Sequence, residues 1–186
     1  MLRRIETSLS ERPGTTVKGL DGARYAAVAV VFRPNLDIAF IRRAEHENDP
    51  WSGHMALPGG RVEASDASVE DAARRETQEE VGIDLSQVRC LGQMNQVASP
   101  ALTPRVVVTP FVFALESDPK VQIDFSEVAS VHWFGIERLQ SGEGRSMFDY
   151  QYGGRALRLP CIDLDGQRIW GMTLRIVDEL IERLTP

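Results

Sequence analysis

Short apolar runs separated by turn residues dominate the chain from residue 25 onward. The segment YAAVAVVF at residues 25–32 is almost continuously apolar, as in a strand buried on both faces, and Pro34-Asn35 turns the chain after it. Pro110 lacks a backbone N–H, so it predicts that residues 106–115 form an edge or bulged strand. We expect strands at residues 25–32, 37–43, 55–57, 88–97, 106–115, 131–134, 145–152 and 157–162.

Three segments have helical periodicity instead. Residues 1–10 form a short amphipathic pattern that ends at Pro13-Gly14. Ser68 with Asp71 resembles a capping box, which predicts a helix from Ser68 to about Val81 with Gly82 just past its end. A last amphipathic helix is marked by Thr173, Val177, Leu180, Ile181 and Leu184. Strands outnumber helices, so we expect an α/β protein in which a mixed sheet packs between helices.

The central helix carries acidic residues on the face that should point inward. With Val69 at zero and 100° per residue, Ala72, Ala73, Glu76 and Glu80 fall within about 60° and Glu79 about 80° away. Arg74, Asp71 and Gln78 are expected to point outward, and Arg75 stands beside Glu79, where it can orient the acids or pair with Asp66.

Carboxylates on a core-facing stripe are costly unless they are paired or bind a metal. The backbone of Gly59-Gly60, just upstream, can approach the same point. The segment therefore indicates a site for hard divalent cations, and such ions favour chemistry on phosphates. The alternative is a structural face neutralised by salt bridges.

Composition and charge narrow the class of protein. The chain has 186 residues, with 42% hydrophobic and 26% charged residues, as expected for one globular domain. The net charge of -6 and the absence of a basic block argue against a nonspecific nucleic-acid binder. No apolar run is long enough to span a membrane. Met1 to Gly14 lacks the apolar stretch of a secretory signal, and Cys90 and Cys161 are far apart without a metal-ligand pattern, so we expect a cytoplasmic protein with reduced thiols.

The acidic helix and the glycine turn together resemble the Nudix box, G-x5-E-x7-R-E-U-x-E-E-x-G-U, where U is a bulky apolar residue. Gly60 matches its first glycine, and residues 75–83, RETQEEVGI, match its second half. Thr77 stands where a larger apolar residue is usual. Asp66 replaces the middle acid, and eight residues rather than seven separate it from Arg75. That longer spacing resembles the coenzyme A pyrophosphatase branch of the family.

The resemblance to that branch extends beyond the box. Residues 57–60, LPGG, with Gly53 before them, are similar to the G-x3-FPGG end of its signature, and Arg43-Ala44 is similar to its R-S element. The next arginine of the signature has no clear counterpart, since Asn48 or Asp49 lies near its place. The implied organisation is a Nudix-type α/β/α sandwich, one domain over residues 1–186, with an N-terminal extension at 1–20 and the box at 60–83.

The resemblance implies a hydrolase that uses Mg²⁺ or Mn²⁺ to cleave a nucleoside diphosphate linked to another moiety. It implies Glu76, Glu80 and then Glu79 as metal ligands, with the carbonyl of Gly60 completing the shell. Glu127, six residues before Trp133, resembles a general base recruited from outside the box, and Glu79 is the rival base. Arg75 is expected to orient the carboxylates; structural roles are expected for Asp66, Gly59 and Gly82.

Residues near the glycine turn are candidates for substrate contact. Arg43 can meet phosphates or face solvent, and Trp51 can stack on a base or pantetheine arm or simply pack. His54 is a weaker candidate, while Trp133 and Trp170 are expected in the core. The partner is a small nucleoside diphosphate derivative, and the resemblance is compatible with a homodimer.

Three functions compete. One is coenzyme A hydrolysis to 4'-phosphopantetheine and adenosine 3',5'-bisphosphate. The second is the same chemistry on ADP-ribose or a nucleotide sugar, which the missing arginine favours. The third is a Nudix-fold module that senses a nucleotide without hydrolysing it; eroded box acids would mark it, whereas Glu76, Glu79 and Glu80 are all present.

Overall fold

A computed structural model describes residues 1–18, 20–47, 51–99, 105–152 and 154–185. The predicted helices and strands are present, with changes at their ends. The elements are α1 (Leu2–Glu11), β1 (Arg24–Phe32), β2 (Asp37–Arg43), β3 (Met55–Ala56), β4 (Gly59–Arg61), α2 (Val69–Val81), β5 (Cys90–Gln93), β6 (Val97–Ala98), β7 (Val106–Ala114), β8 (Val128–Gly135), α3 (Ile136–Gln140), β9 (Arg145–Tyr152), β10 (Arg155–Leu164), β11 (Gln167–Trp170) and α4 (Gly171–Leu184). The short elements β4, α3 and β11 are additional to the predicted ones.

The larger sheet is mixed, as expected. Its path runs β3-β2-β1-β7-β5, with β4 on β1, β6 on β7 and β8 on β2. β1 and β7 are parallel along their whole length, whereas the other pairs are antiparallel. β1 and β2 pair only where Phe32 meets Ile38, because β3 and β4 enter between them farther along. This opening holds the glycine turn at the middle of the sheet.

Helices cover both faces of this sheet, which confirms the predicted α/β/α layering. On one face, Ala72, Ala73 and Val81 of α2 pack in a cluster with Phe111 and Phe113 of β7. On the opposite face, α1 and α4 bury side chains in a second cluster. Its helical members include Ile5, Leu9, Leu174, Val177, Leu180 and Leu184.

β7 lies inside the sheet, so the edge-strand alternative for Pro110 is wrong. As for the bulged alternative, the register of the β5–β7 pair shifts on the β5 side, between Cys90 and Gly92. The strand opposite is interrupted instead: β5 ends at Gln93, β6 begins at Val97, and the Pro110 carbonyl accepts from the Met94 N–H at 2.9 Å. Residues 94–96 turn toward the N-terminal segment, where the Gln96 N–H donates to the Thr15 carbonyl at 2.9 Å. The lack of an N–H at Pro110 is tolerated because the segment opposite it, residues 94–96, turns toward the N-terminal segment instead of continuing as a strand.

A second sheet, in the order β11-β10-β9, stands beside the first. Its Ile162 and Ile169 are fully buried in the same cluster as α4, whereas Met147 and Leu157 nearer the β9–β10 turn are 48% and 40% exposed. Cys90 and Cys161 are free thiols, as expected.

The turn before β4 depends on Gly59. Its φ is +146°, and a Cβ there would lie 2.2 Å from the Ala27 carbonyl oxygen of β1. We expect Gly59→Ala to cost more than about 2 kcal/mol of stability, because both the backbone conformation and the contact are unfavourable. The corresponding loss in Tm is about 4–8 °C for a chain of this size.

The matched control is Gly22→Ala. Gly22 also has a positive φ, +72°, but a Cβ there would meet nothing within 4 Å. Only the backbone cost of about 1 kcal/mol is expected. Equal Tm losses for both variants in thermal unfolding would mean that the sheet moves away from the added methyl group.

Candidate active site

The helix α2 begins and ends where its sequence predicts. The Ser68 Oγ accepts from the Asp71 N–H at 3.1 Å and donates to an Asp71 carboxylate oxygen at 2.8 Å. Gly82 adopts the left-handed conformation, φ 70°, and its N–H bonds the Gln78 carbonyl at 3.0 Å. These caps set which residues of α2 face the sheet.

The inward stripe of α2 is rotated from the predicted one. Ala72, Ala73, Thr77 and Val81 are fully buried, whereas Val69, the reference for the predicted stripe, is 37% exposed. Thr77 tolerates burial because its hydroxyl donates to the Ala73 carbonyl at 2.7 Å. The stripe is therefore centred on the Ala73–Thr77 side of the helix, away from Glu79.

This rotation corrects two predicted orientations. Glu79 does not converge inward: its side chain is 56% exposed and lies 3.0 Å from Arg75. Arg74 does not point into solvent: its guanidinium stacks on Phe113 at 4.7 Å and donates to the Val88 carbonyl at 3.0 Å. A long side chain can reach back to apolar surface from the flank of a helix, which a wheel drawn from Cα positions cannot show.

Glu80 is the buried acid of the site. The residue is 2% exposed, and one carboxylate oxygen accepts from the Gly59 N–H at 2.8 Å. Burial raises the pKa of Glu80 to about 8; the Gly59 hydrogen bond and the charge of Arg43 oppose the rise, and Glu76 and Glu127 add to it. The fold thus buries a carboxyl group whose charged form would be more stable in water.

Glu76 lies against the backbone of Gly60. A Cβ at Gly60 would come within 2.4 Å of the Glu76 Oε2, so glycine lets this carboxylate approach the turn. Burial raises the pKa of Glu76, while its contact with Arg75 at 2.9 Å opposes the rise.

Glu127 joins these two acids from a different part of the chain. Carboxylate oxygens of Glu76, Glu80 and Glu127 all lie within 4.8 Å of one another. We call these side chains the carboxylate cluster. Glu127 is exposed, so the cluster opens to solvent on its side.

The loop that carries Glu127 is attached to α2 and β2. The Asp124 N–H donates to the Glu80 carbonyl at 3.0 Å, and the Asp124 carboxylate accepts from the Ser126 N–H at 2.9 Å. On the other side, the Ala44 N–H donates to the Glu127 carbonyl at 2.8 Å, and the His46 ring contacts the Ser126 carbonyl at 2.8 Å. Asp124 was not among the predicted residues; its sequence signal is the D-x-S turn just before Glu127.

Arg75 connects the acids around the cluster. It binds both carboxylate oxygens of Asp66, at 2.9 and 3.1 Å, and also contacts Glu76 at 2.9 Å and Glu79 at 3.0 Å. It further donates to the Arg61 carbonyl at 3.0 Å. The contact with Arg75 lowers the pKa of Asp66, so this pair stays charged and braces the turn against α2.

We expect Arg75→Ala to lower kcat about 10- to 100-fold, because Glu76 would lose the partner that fixes its orientation. Mg²⁺ binding should persist, because the cluster keeps all three of its carboxylates. Kinetics and Mg²⁺ titration of the folded variant test this. Arg75→Lys retains the charge but not the two-pronged contact, so its kcat should fall between those of wild type and Arg75→Ala. A wild-type kcat in Arg75→Ala would contradict the orienting role.

The predicted substrate residues Arg43 and His54 lie on neighbouring segments of the sheet. Arg43 ends β2, and its backbone N–H donates to the His54 carbonyl at 3.0 Å. The His54 ring meets the Trp170 ring edge-on, 5.0 Å between centroids, so Trp170 is half-buried beside the site rather than in the core. Trp133 is half-buried and packs against the core cluster on the α2 side, as expected, with the Arg33 guanidinium over its ring. Trp51 is 36% exposed; Asn48 and Asp49 lie outside the described residues.

The chain belongs to the Nudix family: a NUDIX domain model matches residues 22–150. The family comprises hydrolases that act on pyrophosphate bonds and generally use divalent metal ions such as Mg²⁺ or Mn²⁺. The prediction of a Nudix hydrolase is thereby confirmed.

Particular relatives support the same assignment. The chain is 32% identical over 171 residues to NudL, an uncharacterized Nudix hydrolase of Salmonella dublin, covering 91% of this chain and 86% of that protein. It is 37% identical over 107 residues to the uncharacterized protein C14C4.10c of Schizosaccharomyces pombe, and this match covers 55% of the chain but 32% of that longer protein.

A solved structure shares the fold. The NUDIX domain of Shewanella oneidensis NrtR, in complex with ADP ribose, has a TM-score of 0.59 at 18% identity and covers 97% of this chain and 99% of that domain. The helices among the described residues include none with the length and apolarity needed to cross a membrane.

Proposed function

We propose that this chain is a Mg²⁺- or Mn²⁺-dependent pyrophosphatase that cleaves the diphosphate between a nucleoside and another moiety. The observation that carries the proposal is the carboxylate cluster: oxygens of Glu76, Glu80 and Glu127 within 4.8 Å, one of them from a buried side chain. Like charges held this close are unfavourable unless a cation or protons lie between them.

The cluster fits a divalent metal. Its donors are carboxylate oxygens, which Mg²⁺ and Mn²⁺ prefer, and its open side leaves room for waters and phosphate oxygens. A cation at this point would offset both the burial and the mutual repulsion that raise the pKa of Glu80. Glu76 and Glu80 would hold it, with the Gly60 carbonyl as a further ligand and Glu79 as a more distant one.

When bound, the metal supplies neutralisation of the diphosphate charge and a lower pKa for the attacking water. The chain's own groups do the rest. Glu127 accepts a proton from the attacking water at a carboxylate oxygen, Arg75 keeps Glu76 in place, and Arg43 offers positive charge to a phosphate. Water adds to one phosphorus, the bond from that phosphorus to the bridging oxygen breaks, and the bridging oxygen leaves with the other phosphate.

Glu79 is the alternative base. Its exposed carboxylate can reach solvent and contacts at 3.0 Å the same Arg75 nitrogen that contacts Glu76 at 2.9 Å, but its oxygens are not among those of the carboxylate cluster. Glu127 is favoured because its oxygen belongs to the cluster.

Coenzyme A or a derivative is the proposed substrate, with 4'-phosphopantetheine and adenosine 3',5'-bisphosphate as products. Support comes from the extended box spacing around Asp66 and from the LPGG sequence before the box. ADP-ribose or a nucleotide sugar is the second candidate, supported by Asn48 and Asp49 near the place of the signature arginine.

A substrate panel tests the proposal. The purified chain is incubated with Mg²⁺ or Mn²⁺ and with coenzyme A, ADP-ribose or a nucleotide sugar, and the products are separated by chromatography. Rapid cleavage of coenzyme A, abolished by a chelator, supports the first candidate. Cleavage of ADP-ribose without coenzyme A cleavage supports the second, and metal binding without turnover of any substrate would point to a nucleotide-sensing module.

A further inference from the structure

Aromatic side chains gather on one face of the second sheet, next to the carboxylate cluster. The Trp170 ring lies 4.6 Å from Tyr150, 5.3 Å from Phe148 and 5.0 Å from His54, centroid to centroid. We call Trp170, Tyr150, Phe148 and His54 the aromatic face. Phe148 is further covered by the guanidinium of Arg168 at 4.7 Å.

The register of the sheet extends this face toward solvent. Phe148 pairs with Leu159 and Tyr150 with Leu157, and residues opposite each other in antiparallel strands project to the same side. Leu157 is 40% exposed, and Tyr150 and Trp170 are half-buried. The aromatic face is thus made largely of ring surfaces and is partly open to solvent.

The aromatic face is continuous with the cluster. His54 is joined to Arg43 through the backbone hydrogen bond between β2 and its flanking segment. The next residue after Arg43, Ala44, donates its N–H to the carbonyl of Glu127, a member of the carboxylate cluster, at 2.8 Å. On the other side, the Thr173 hydroxyl donates to the Met55 carbonyl at 3.3 Å, which fixes the start of α4, and with it Trp170, against β3.

The order along this surface is carboxylates, then a cation, then aromatic rings. A nucleotide has the same order: phosphates that need metal and positive charge, a ribose, and a flat base that stacks on rings. A lipid chain or an apolar peptide would use the rings but not the adjoining cation and acids.

We propose that the aromatic face binds the base of the nucleotide whose diphosphate lies at the carboxylate cluster, with Tyr150 and Trp170 as the residues that determine specificity for an aromatic base. This inference rests on the proposed function, since it assumes that the phosphates lie beside Glu80. It assigns to β9 and β11, outside the Nudix box, the recognition of the part of the substrate that does not react.

The test compares binding of AMP with binding of ribose 5-phosphate, which has the same phosphate but no base. Both are titrated calorimetrically with Mg²⁺ present, and neither has a diphosphate to hydrolyse. Wild type is expected to bind AMP at least about tenfold more tightly than ribose 5-phosphate, because stacking adds to the phosphate contacts. Tyr150→Ala should remove most of this difference and leave ribose 5-phosphate binding unchanged.

Two control variants keep the result interpretable. Trp170→Phe retains an aromatic ring in a half-buried position and should keep most of the AMP preference. Tyr25→Ala removes a tyrosine that is 46% exposed on β1, a strand of the other sheet, and should behave as wild type. Circular dichroism of each variant establishes that it is folded.

Equal affinity of wild type for the two ligands, no AMP binding at millimolar concentration, or unchanged AMP binding in folded Tyr150→Ala would each overturn the inference. If Tyr150→Ala changed only self-association, measured by analytical ultracentrifugation, and not AMP binding, the face would instead contact a second copy of the chain and the inference would be overturned. The proposed function fails separately, by absence of diphosphate hydrolysis in wild type, whatever the AMP result.

Discussion

Glu80→Gln is expected to abolish most hydrolysis while making the metal-free protein more stable above neutral pH. Activity should fall at least about 100-fold, because a neutral amide is a poor ligand for Mg²⁺ and the cluster loses its most buried charge. Helix propensity barely changes between Glu and Gln, and the side chains have nearly the same shape. kcat with saturating Mg²⁺, measured on the best substrate of the panel, gives the result.

The gain in stability follows from the direction of the pKa shift. The pKa of Glu80 is raised from 4.5 to about 8 in the folded chain, so the folded state holds this proton more tightly than the unfolded state. No penalty exists below pH 4.5, where both states are protonated; the penalty grows as pH rises toward 8 and is complete above it. Glutamine removes the penalty, and its carbonyl oxygen can still accept from the Gly59 N–H.

Thermal unfolding in chelator at several pH values measures this effect. A gain of at least about 1 kcal/mol near pH 8 corresponds to a rise in Tm of about 2–4 °C for a chain of this size. The difference should shrink as the pH falls and vanish only below pH 4.5. Added Mg²⁺ should stabilise wild type more than the variant, since ligand binding adds to stability only where the site is intact. Wild-type turnover, or a variant less stable than wild type at pH 8, would contradict the assignment of Glu80.

Glu127→Gln and Glu79→Gln form a matched pair that identifies the base. Glu127→Gln should lower kcat at least about 100-fold, since positioned general bases contribute about 10²- to 10⁴-fold. Glu79→Gln should lower it less than about tenfold, because the side chain is 56% exposed and its described ion pair is with Arg75. The change is chemically identical in both variants, so the comparison isolates position.

Steady-state kinetics with coenzyme A and ADP-ribose, at fixed Mg²⁺, give the loss of kcat in each of the two variants. A larger loss for Glu79→Gln than for Glu127→Gln would make Glu79 the base. Loss of Mg²⁺ affinity in Glu127→Gln, with little further loss in kcat at saturating metal, would make Glu127 a ligand instead.

Local sequence signals located most residues of the candidate site. Ser68 and Gly82 define the ends of α2 because caps depend on neighbouring backbone groups only. The spacing of Glu76 and Glu80 places both on one helix face in any fold. Glu127, which lies far along the chain, was expected from its resemblance to a loop residue before a Trp-containing strand, and its carboxylate lies beside the other two.

Orientation was harder to predict. Glu79 lies only one helical step from Glu80, yet the sheet packs against the Ala73–Thr77 side and leaves Glu79 exposed. Pro110 was expected on an edge strand because that rule assumes that the strand opposite a proline continues. Here the opposite segment, residues 94–96, turns toward Thr15 instead.

By itself, the sequence determined the longer elements, the two ends of α2 and the glycine turn, because these depend on contacts within a few residues. Only the tertiary structure decided which acids share one point, how deeply Glu80 is buried and that Trp170, Tyr150 and His54 meet beside Arg43. Those features depend on distant segments packing together, and the position of each segment is set by the whole sheet rather than by its own residues.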